Sequence, residues 1–257
     1  MKETIHCELI SERNLLVRFG DTISEELLET IKQAQHCAQK VFGRQLKDMI
    51  PSYTTLLIEF DPLLISPRKA QLNFQKAWIK HEYAELKSLI TEQAPAGSSE
   101  QLAPTESDSC IEIPVYYDPS VGWDLESVAE QHQLSWQQVA EVHSQRTYRV
   151  YAMGFAPGFA FMGQLDPRLE TPRKTRPRTC VPAGSVAISD LQTAVYPQDS
   201  PGGWNIIGRS PCELFKPDRS PANLLKTADR VRFKAIDKQQ FLQLGGSLEN
   251  PGRQTHE

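Results

Sequence analysis

The feature that most constrains this chain is the stretch from Gly154 to Arg209, where glycine and proline alternate with residues that favour burial. It contains the segments GFAPGFAFMG, VPAGSVAIS and QTAVYPQDSPGGWNIIGR. A segment that cannot fold has few aromatic and β-branched residues, whereas this stretch is rich in both. Glycine permits close backbone approach, and proline fixes turns. The stretch therefore predicts short strands joined by rigid loops, and such loops on a β-scaffold commonly carry a binding site.

Residues 1–91 predict a small α/β domain that begins with a strand at Leu15–Phe19. A second strand is predicted at Tyr53–Phe60, because apolar and polar residues alternate there. This alternation predicts one buried face, made of Leu56, Ile58 and Phe60.

Two helices are predicted between and after these strands. Thr22, with Glu25 three residues later, fits a capping box for a helix that continues to about Val41. Ser66 followed by Pro67 predicts the start of a second helix that runs to about Thr91. Helical spacing predicts that the inward residues are Ile23, Leu27, Ile31 and Ala34 in the first helix, and Phe74, Ala77, Trp78 and Ala84 in the second. For His81, near the second face, a structural role is favoured over a ligand role.

Residues 92–109, EQAPAGSSEQLAPTESDS, contain no aromatic residue and predict a linker. A second domain is predicted over residues 110–249, with a frayed tail at 250–257. The predicted strands outside the central stretch are Ile111–Tyr117, Thr147–Met153, Glu213–Phe215 and Val231–Ala235. Three helices are predicted in this domain. One is capped by Asp124 and ends near Gln131, and one is capped by Ser135 with Gln138 and ends near His143. The last is capped by Asp237 and ends before the tail. Many short strands with glycine and proline turns predict a closed or nearly closed β-barrel.

Composition narrows the class of protein. The formal net charge of −4 gives no general attraction to nucleic acid or to an anionic membrane. The five cysteines are widely spaced and show no metal-ligand pattern, which favours reduced thiols and no metal site. The N-terminal MKETIHCELI lacks the apolar core of a secretory signal, and no run is long enough to cross a bilayer. We therefore expect a soluble, cytoplasmic protein.

Standard catalytic signatures are absent: the sequence contains no GxSxG, Walker A, HExxH or GxGxxG motif. Its most informative charged residues are arginines, which bind carboxylates and phosphates in a fork geometry. Arg178 and Arg209 are the preferred candidates because each borders a rigid motif, although a solvated charge cluster is an equal alternative.

The SPGGW segment, Ser200–Trp204, offers backbone N–H groups that could form an anion-binding nest. A tight hairpin packed by Trp204 explains it equally well. Gln192, Thr193 and Tyr196 could orient a polar ligand or simply pair across strands. His143, at a predicted helix C-terminus, is adequately explained as a cation favoured by the helix dipole. The candidate substrate-binding residues are Arg178, Gln192, Tyr196, Ser200, Gly202, Gly203, Trp204 and Arg209; no catalytic residue is assigned.

The segments GFAPGFAFMGQL, PRKTRPRTCVPAGSVAI and QTAVYPQDSPGGWNIIGR closely resemble the Kip-type family, also called allophanate hydrolase subunit 1. Within that family the similarity is to the B subunit of the bacterial three-component 5-oxoprolinase. GDTIS, SYTTLLIEFDP and IPVYY extend the resemblance over nearly all the chain except the linker and tail. Trp123 stands where the family usually has proline, and Ala194 where glycine is common, which affects loop shape rather than membership.

The resemblance implies an α+β protein, with a small α/β N-terminal domain followed by a cyclophilin-like β-barrel domain that is similar to a carboxyltransferase. It implies that this chain works in a complex with homologues of the C and A subunits. That complex is expected to open the lactam of 5-oxo-L-proline to L-glutamate while hydrolysing ATP. ATP is then expected to be shared with or bound by a partner protein of the complex, because this chain has no phosphate loop. Two alternatives stay open: an inhibitor module that binds a histidine kinase, and a carboxyltransferase component acting on urea or a related amide.

Overall fold

The structure is a computed structural model that describes residues 5–91 and 110–249. It divides the chain into two compact units, one within residues 1–107 and the other within residues 108–257. The predicted linker, 92–109, and the predicted tail, 250–257, lie outside the described residues and stay predictions. None of the described helices is both long and apolar enough to span a lipid bilayer.

The first unit is an antiparallel sheet with two helices against it. Its strands are β1 (His6–Leu9), β2 (Asn14–Arg18), β3 (Leu46–Ser52) and β4 (Thr55–Phe60), in the spatial order β1-β2-β4-β3. Its helices are α1 (Glu25–Phe42) and α2 (Pro67–Thr91). The sequence analysis found β2, β4 and both helices but missed β1 and β3. Pro51 and two charged residues, Lys47 and Asp48, obscure the strand pattern of β3.

The predicted buried face of β4 is confirmed, since Leu56, Ile58 and Phe60 have no exposed surface. Phe74 and Trp78 of α2 complete the same core, also as predicted. Ala84, by contrast, is exposed. The predicted cap at Thr22 is wrong, because Ser24 precedes α1 and its hydroxyl accepts from the Leu27 amide at 3.1 Å. This shift leaves Ile23 outside the helix and 41% exposed.

The second unit contains nine strands and three helices in the described residues. Its strands are β5 (Ile111–Val115), β6 (Thr147–Met153), β7 (Ala160–Gly163), β8 (Arg178–Val181), β9 (Ser185–Ser189), β10 (Gln192–Val195), β11 (Ser200–Gly202), β12 (Asn205–Arg209) and β13 (Arg230–Ala235). Its helices are α3 (Leu125–Gln131), α4 (Trp136–Gln145) and α5 (Lys238–Gln243). The capping boxes predicted at Ser135 and Asp237 are both present. Glu213–Phe215 is not a strand; Phe215 makes only an isolated bridge to Asn223.

Seven of these strands form one sheet in the order β12-β9-β10-β7-β6-β13-β5. Its two edge strands meet again, because Tyr116, just after β5, exchanges two backbone hydrogen bonds of 2.8 and 2.9 Å with Arg209 at the end of β12. This bridge nearly closes the sheet into a barrel. The α+β class and the barrel are therefore confirmed.

Strand alternation divides the barrel residues between two cores. Val186 and Ile188 of β9 belong to the main core, whereas Ala187 between them belongs to a separate cluster on the outer side. The outer side of β9, β10 and β12 is thus apolar, and it needs cover from another part of the chain.

Candidate functional site

The cover is a two-stranded ribbon of β8 and β11, which places the central sequence stretch over the barrel wall. The cluster beneath it, here called the outer cluster, consists of Phe159, Val181, Ala187, Ala194, Tyr196, Trp204 and Ile206. Phe159 contacts Tyr196 and Trp204 edge to face, with ring centroids 5.5 and 6.0 Å apart. Burial raises the pKa of Tyr196. Tyr196 and Trp204, both candidate ligand residues, are thus largely committed to packing.

The SPGGW segment forms part of this ribbon. Gly202 pairs with Arg178 in the ladder, and the Gly203 carbonyl accepts from the Lys174 amide at 2.8 Å. A Cβ at Gly202 would collide with the Tyr196 hydroxyl, which explains the glycine. Neither glycine has positive φ, whereas a nest of N–H groups alternates between right- and left-handed conformations. The structure shows neither the nest nor a tight hairpin, because β11 pairs with β8, which lies some twenty residues earlier in the chain, while β12 pairs with β9. Only the packing of Trp204 is as predicted.

Asp124 is the centre of an ion cluster that the sequence analysis did not identify. Its side chain does not cap α3 as predicted. Instead Oδ1 accepts from Lys174 Nζ at 2.6 Å and from Arg178 Nη2 at 2.7 Å, while Oδ2 accepts from the Ile206 amide at 2.8 Å. Asp124 is only 3% exposed, so both cations neutralise a buried carboxylate. The cluster fastens the start of α3 to the ribbon and to β12.

Arg178 therefore has a structural partner as well as a place near the surface. Its guanidinium lies 5.4 Å from the ring centroid of Trp123, while Arg173 lies 5.6 Å from that of Trp204. The Nη1 atom of Arg178 is buried and has no hydrogen-bond partner among the described residues. These stacked contacts hold the two guanidinium groups in fixed orientations.

Arg209 lies in a different environment from Arg178. Its side chain is almost fully buried, and Nη1 donates to the carbonyls of Ser247 at 3.0 Å and Glu249 at 2.6 Å. Burial lowers the pKa of this guanidinium, and the charge of Asp199 opposes that shift.

Arg209 lines a cavity of about 330 Å³. The other walls of this Arg209 cavity are the loop Pro182–Gly184, Pro197 with Asp199, the segment Ser210–Glu213, and the segment Gly245–Ser247 with Glu249. Asp199 is held in place because its carboxylate accepts from the Ala183 amide at 2.8 Å. The volume is at the lower end of the range for small-molecule sites, and its charged groups are of both signs.

The remaining candidates, Gln192 and Ser200, lie in neither the ion cluster nor the wall of the cavity. Gln192 begins β10 opposite Gly163 and Ser189. Ser200 begins β11, pairs with Val181, and has a buried hydroxyl without a hydrogen-bond partner in the described part of the chain. Six of the eight candidates therefore meet in the ribbon and the outer cluster beneath it, namely Arg178, Tyr196, Ser200, Gly202, Gly203 and Trp204. Gln192, at the start of β10, and Arg209, at the end of β12, lie apart from them.

His143 is a buried residue whose environment the sequence analysis misjudged. It has no exposed surface, its Nδ1 lies 2.6 Å from the Tyr117 hydroxyl, and its Nε2 lies 2.8 Å from Thr193 Oγ1. Burial lowers its pKa from 6.5 to about 3. The imidazole is neutral at physiological pH, so the interpretation as a cation at a helix C-terminus is wrong.

Over residues 5–91 and 110–249, no three His, Cys, Asp or Glu side chains are grouped so that they could hold an ion.

Comparison with known proteins identifies the family. Residues 5–225 match the family described as carboxyltransferase domain, subdomain C and D. The B subunit of 5-oxoprolinase from Bacillus subtilis (strain 168) is 34% identical over 237 residues, which cover 91% of this chain and 94% of that protein.

Solved structures share the fold of this chain. The crystal structure of the protein TTHA0988 is 35% identical and superposes with a TM-score of 0.67 over 88% of this chain, which spans only 40% of that longer protein. The urea carboxylase of Kluyveromyces lactis is 17% identical, with a TM-score of 0.63 over 93% of this chain and 22% of its own length. At that identity it shows a shared fold and nothing further.

Proposed function

We propose that this chain, which belongs to the carboxyltransferase subdomain C and D family, is the B subunit of a multi-subunit 5-oxoprolinase. The observation that carries the proposal is the Bacillus subtilis relative of that name, which aligns over 94% of its own length. Such an alignment includes both units of the present chain. The reaction is the conversion of 5-oxo-L-proline to L-glutamate with hydrolysis of ATP.

The Arg209 cavity is the part of this chain that fits such a substrate. The substrate carries a carboxylate, which a guanidinium binds through charge-assisted hydrogen bonds. It also carries a lactam N–H, and the carboxylate of Asp199 in the same cavity wall is an acceptor for such a donor. A mixed cavity of about 330 Å³ therefore suits a small acid that also carries an N–H group.

Ring opening adds water across the lactam C–N bond, so that the carbon becomes a carboxylate and the nitrogen becomes an ammonium group. An unstrained lactam is a poor electrophile, and negative charge grows on its oxygen as water attacks. Preorganised cations and N–H donors stabilise such charge. In this proposal Arg209 holds and orients the substrate, and the groups that act on the lactam carbon come at least partly from a partner protein of the complex.

The sequence of this chain has no phosphate loop. In this proposal ATP is therefore shared with or bound by the partner proteins, homologues of the A and C subunits, and we derive no step through ATP on this chain.

The test is co-expression of this chain with homologues of the A and C subunits, followed by an assay for glutamate from 5-oxoproline with and without ATP. Glutamate formed only with ATP and all three chains supports the proposal. Glutamate formed by this chain alone would contradict the shared site. A stable complex without glutamate would point to another amide substrate, and no complex would point to a kinase-binding module.

Variants of this chain within the complex test the assigned cavity. Arg209→Ala should lower glutamate formation about 100-fold or more, whereas Arg176→Ala, at an exposed arginine of the preceding loop, should leave it unchanged. The fold should survive Arg209→Ala, because barrel closure uses only the main chain of Arg209. Wild-type turnover in Arg209→Ala would show that the cavity is not the substrate site.

A further inference from the structure

One wall of the Arg209 cavity is a short segment that also hydrogen-bonds to Arg209. The segment Gly245–Glu249, here called the strap, follows α5 and supplies four of the residues that line the cavity. Two of its main-chain carbonyls, those of Ser247 and Glu249, accept hydrogen bonds from Arg209. The strap thus occupies donors that a bound carboxylate would need.

The strap is anchored at both sides of this contact. At its start, the Gly246 amide donates to the Phe241 carbonyl at 2.9 Å, and Gly246 packs so closely on the Phe241 ring that no side chain would fit. Near its end, Leu248 packs partly buried against the cluster of Tyr116, Val121 and Phe241. Ser247 and Glu249 are themselves exposed. A segment with so few buried contacts opens at low cost in free energy.

The acceptors that the strap offers are weaker than those of a ligand carboxylate. A carbonyl is neutral, whereas a carboxylate forms hydrogen bonds with a guanidinium in which both partners are charged, and it can bind two donors at once. Arg209 itself is fixed in β12, whose register positions it opposite Ser185. Ligand binding would therefore exchange the strap for the ligand without moving the arginine's backbone.

We propose that the strap is an autoinhibitory segment, which must leave Arg209 before a small carboxylate ligand can bind in the cavity. The inference rests on the proposed function only for the identity of the ligand, 5-oxoproline or its product. The carboxylates of Asp199 and Glu213 in the cavity wall accept hydrogen bonds. They therefore favour a carboxylate ligand that also carries an N–H or ammonium group over acetate, which carries neither.

Calorimetric titration of the isolated chain tests the strap directly. The full-length chain and a chain ending at Gly246 are each titrated with 5-oxoproline and, separately, with acetate. The shorter chain should bind about tenfold more tightly or better, because its ligand no longer competes with two hydrogen bonds to a charged group. Arg209→Lys in the shorter chain should abolish this gain. Equal dissociation constants for the two chains with both ligands, or a gain that survives Arg209→Lys, would overturn the inference.

A second variant tests the strap without a truncation, which could unfold the unit. Leu248→Ala removes the apolar anchor but keeps both carbonyls, and it should give a smaller gain in affinity. Its matched control is Leu242→Ala, at a 47% exposed leucine of α5 outside the strap, which should bind as the wild type does. A gain in Leu242→Ala equal to that in Leu248→Ala would contradict the specific role of the strap.

The two ligands separate this inference from the proposed function. A gain for acetate without any binding of 5-oxoproline supports the strap and contradicts the proposed substrate. No gain for either ligand contradicts the strap, and it does so even if the three-protein complex makes glutamate.

Discussion

Acidification should destabilise the second unit through the buried imidazole of His143. This side chain has no exposed surface, and its pKa in the folded chain is lowered to about 3. In the unfolded chain the same group titrates near 6.5. Below that pH the unfolded state takes up a proton that the folded state does not. The stability contributed by the neutral imidazole is therefore complete above about pH 6.5 and is lost as the pH falls towards 3.

The magnitude follows from these two pKa values. At pH 5 the unfolded histidine is almost fully protonated and the folded one is neutral, so this group alone lowers the free energy of unfolding by about 2 kcal/mol relative to pH 7.5. Protonation inside the folded unit would also break an acceptor bond, since each ring nitrogen lies within hydrogen-bond distance of a hydroxyl, on Tyr117 and on Thr193.

The assay is urea unfolding at pH 7.5 and pH 5, followed by tryptophan fluorescence. Three of the four tryptophans, Trp123, Trp136 and Trp204, lie in the second unit and report on it. His143→Gln should be less stable than the wild type at pH 7.5, and this deficit should shrink by about 2 kcal/mol at pH 5, because glutamine does not titrate. His132→Gln, at a partly buried histidine of the same unit, is the control. A deficit of the same size at both pH values would refute the reasoning.

Three further predictions concern the ribbon and its ion cluster. Gly202→Ala should destabilise the second unit by about 1–3 kcal/mol, because the added Cβ would collide with the Tyr196 ring. Its control is Gly203→Ala, whose Cβ would have no neighbour closer than 3.6 Å and which should therefore have little effect in the same urea titration. Asp124→Asn should lower the free energy of unfolding by about 2–3 kcal/mol, because it leaves Lys174 and Arg178 without their carboxylate. A thermal midpoint equal to that of the wild type would contradict the role of the ion cluster. Arg178→Ala should weaken the fold less than Asp124→Asn, because Lys174 still pairs with Asp124; a larger loss of stability in Arg178→Ala would refute this order.

Local patterns in the sequence predicted the elements whose signals depend on near neighbours. The alternation of Leu56, Ile58 and Phe60 identified β4, and the capping residues Ser135 and Asp237 located two helix starts. The same reasoning failed at α1, where Thr22 and Ser24 are both chemically competent caps. Which of them acts depends on where the helix meets its core.

The site shows the limit of local reasoning more clearly. Arg178 and Arg209 were selected by the same argument, yet one pairs with Asp124 and the other with the strap. Asp124 has the position of an ordinary helix cap, and nothing in its neighbourhood along the chain indicates that Lys174 and Arg178 will reach it.

By itself, the sequence determined the family, the α+β class, most of the elements and the rigid motifs that carry the candidate residues. The tertiary structure alone decided which of those residues meet, because barrel closure and ribbon packing join positions far apart in the chain. Tyr116 pairs with Arg209, Asp124 with Arg178, and His143 with Thr193. Helix and strand periods extend over only a few residues, so residue spacing does not predict contacts between positions far apart in the chain. Burial then sets the charge of His143 and the partners of Arg209, which is why their chemistry could be assigned only after the fold.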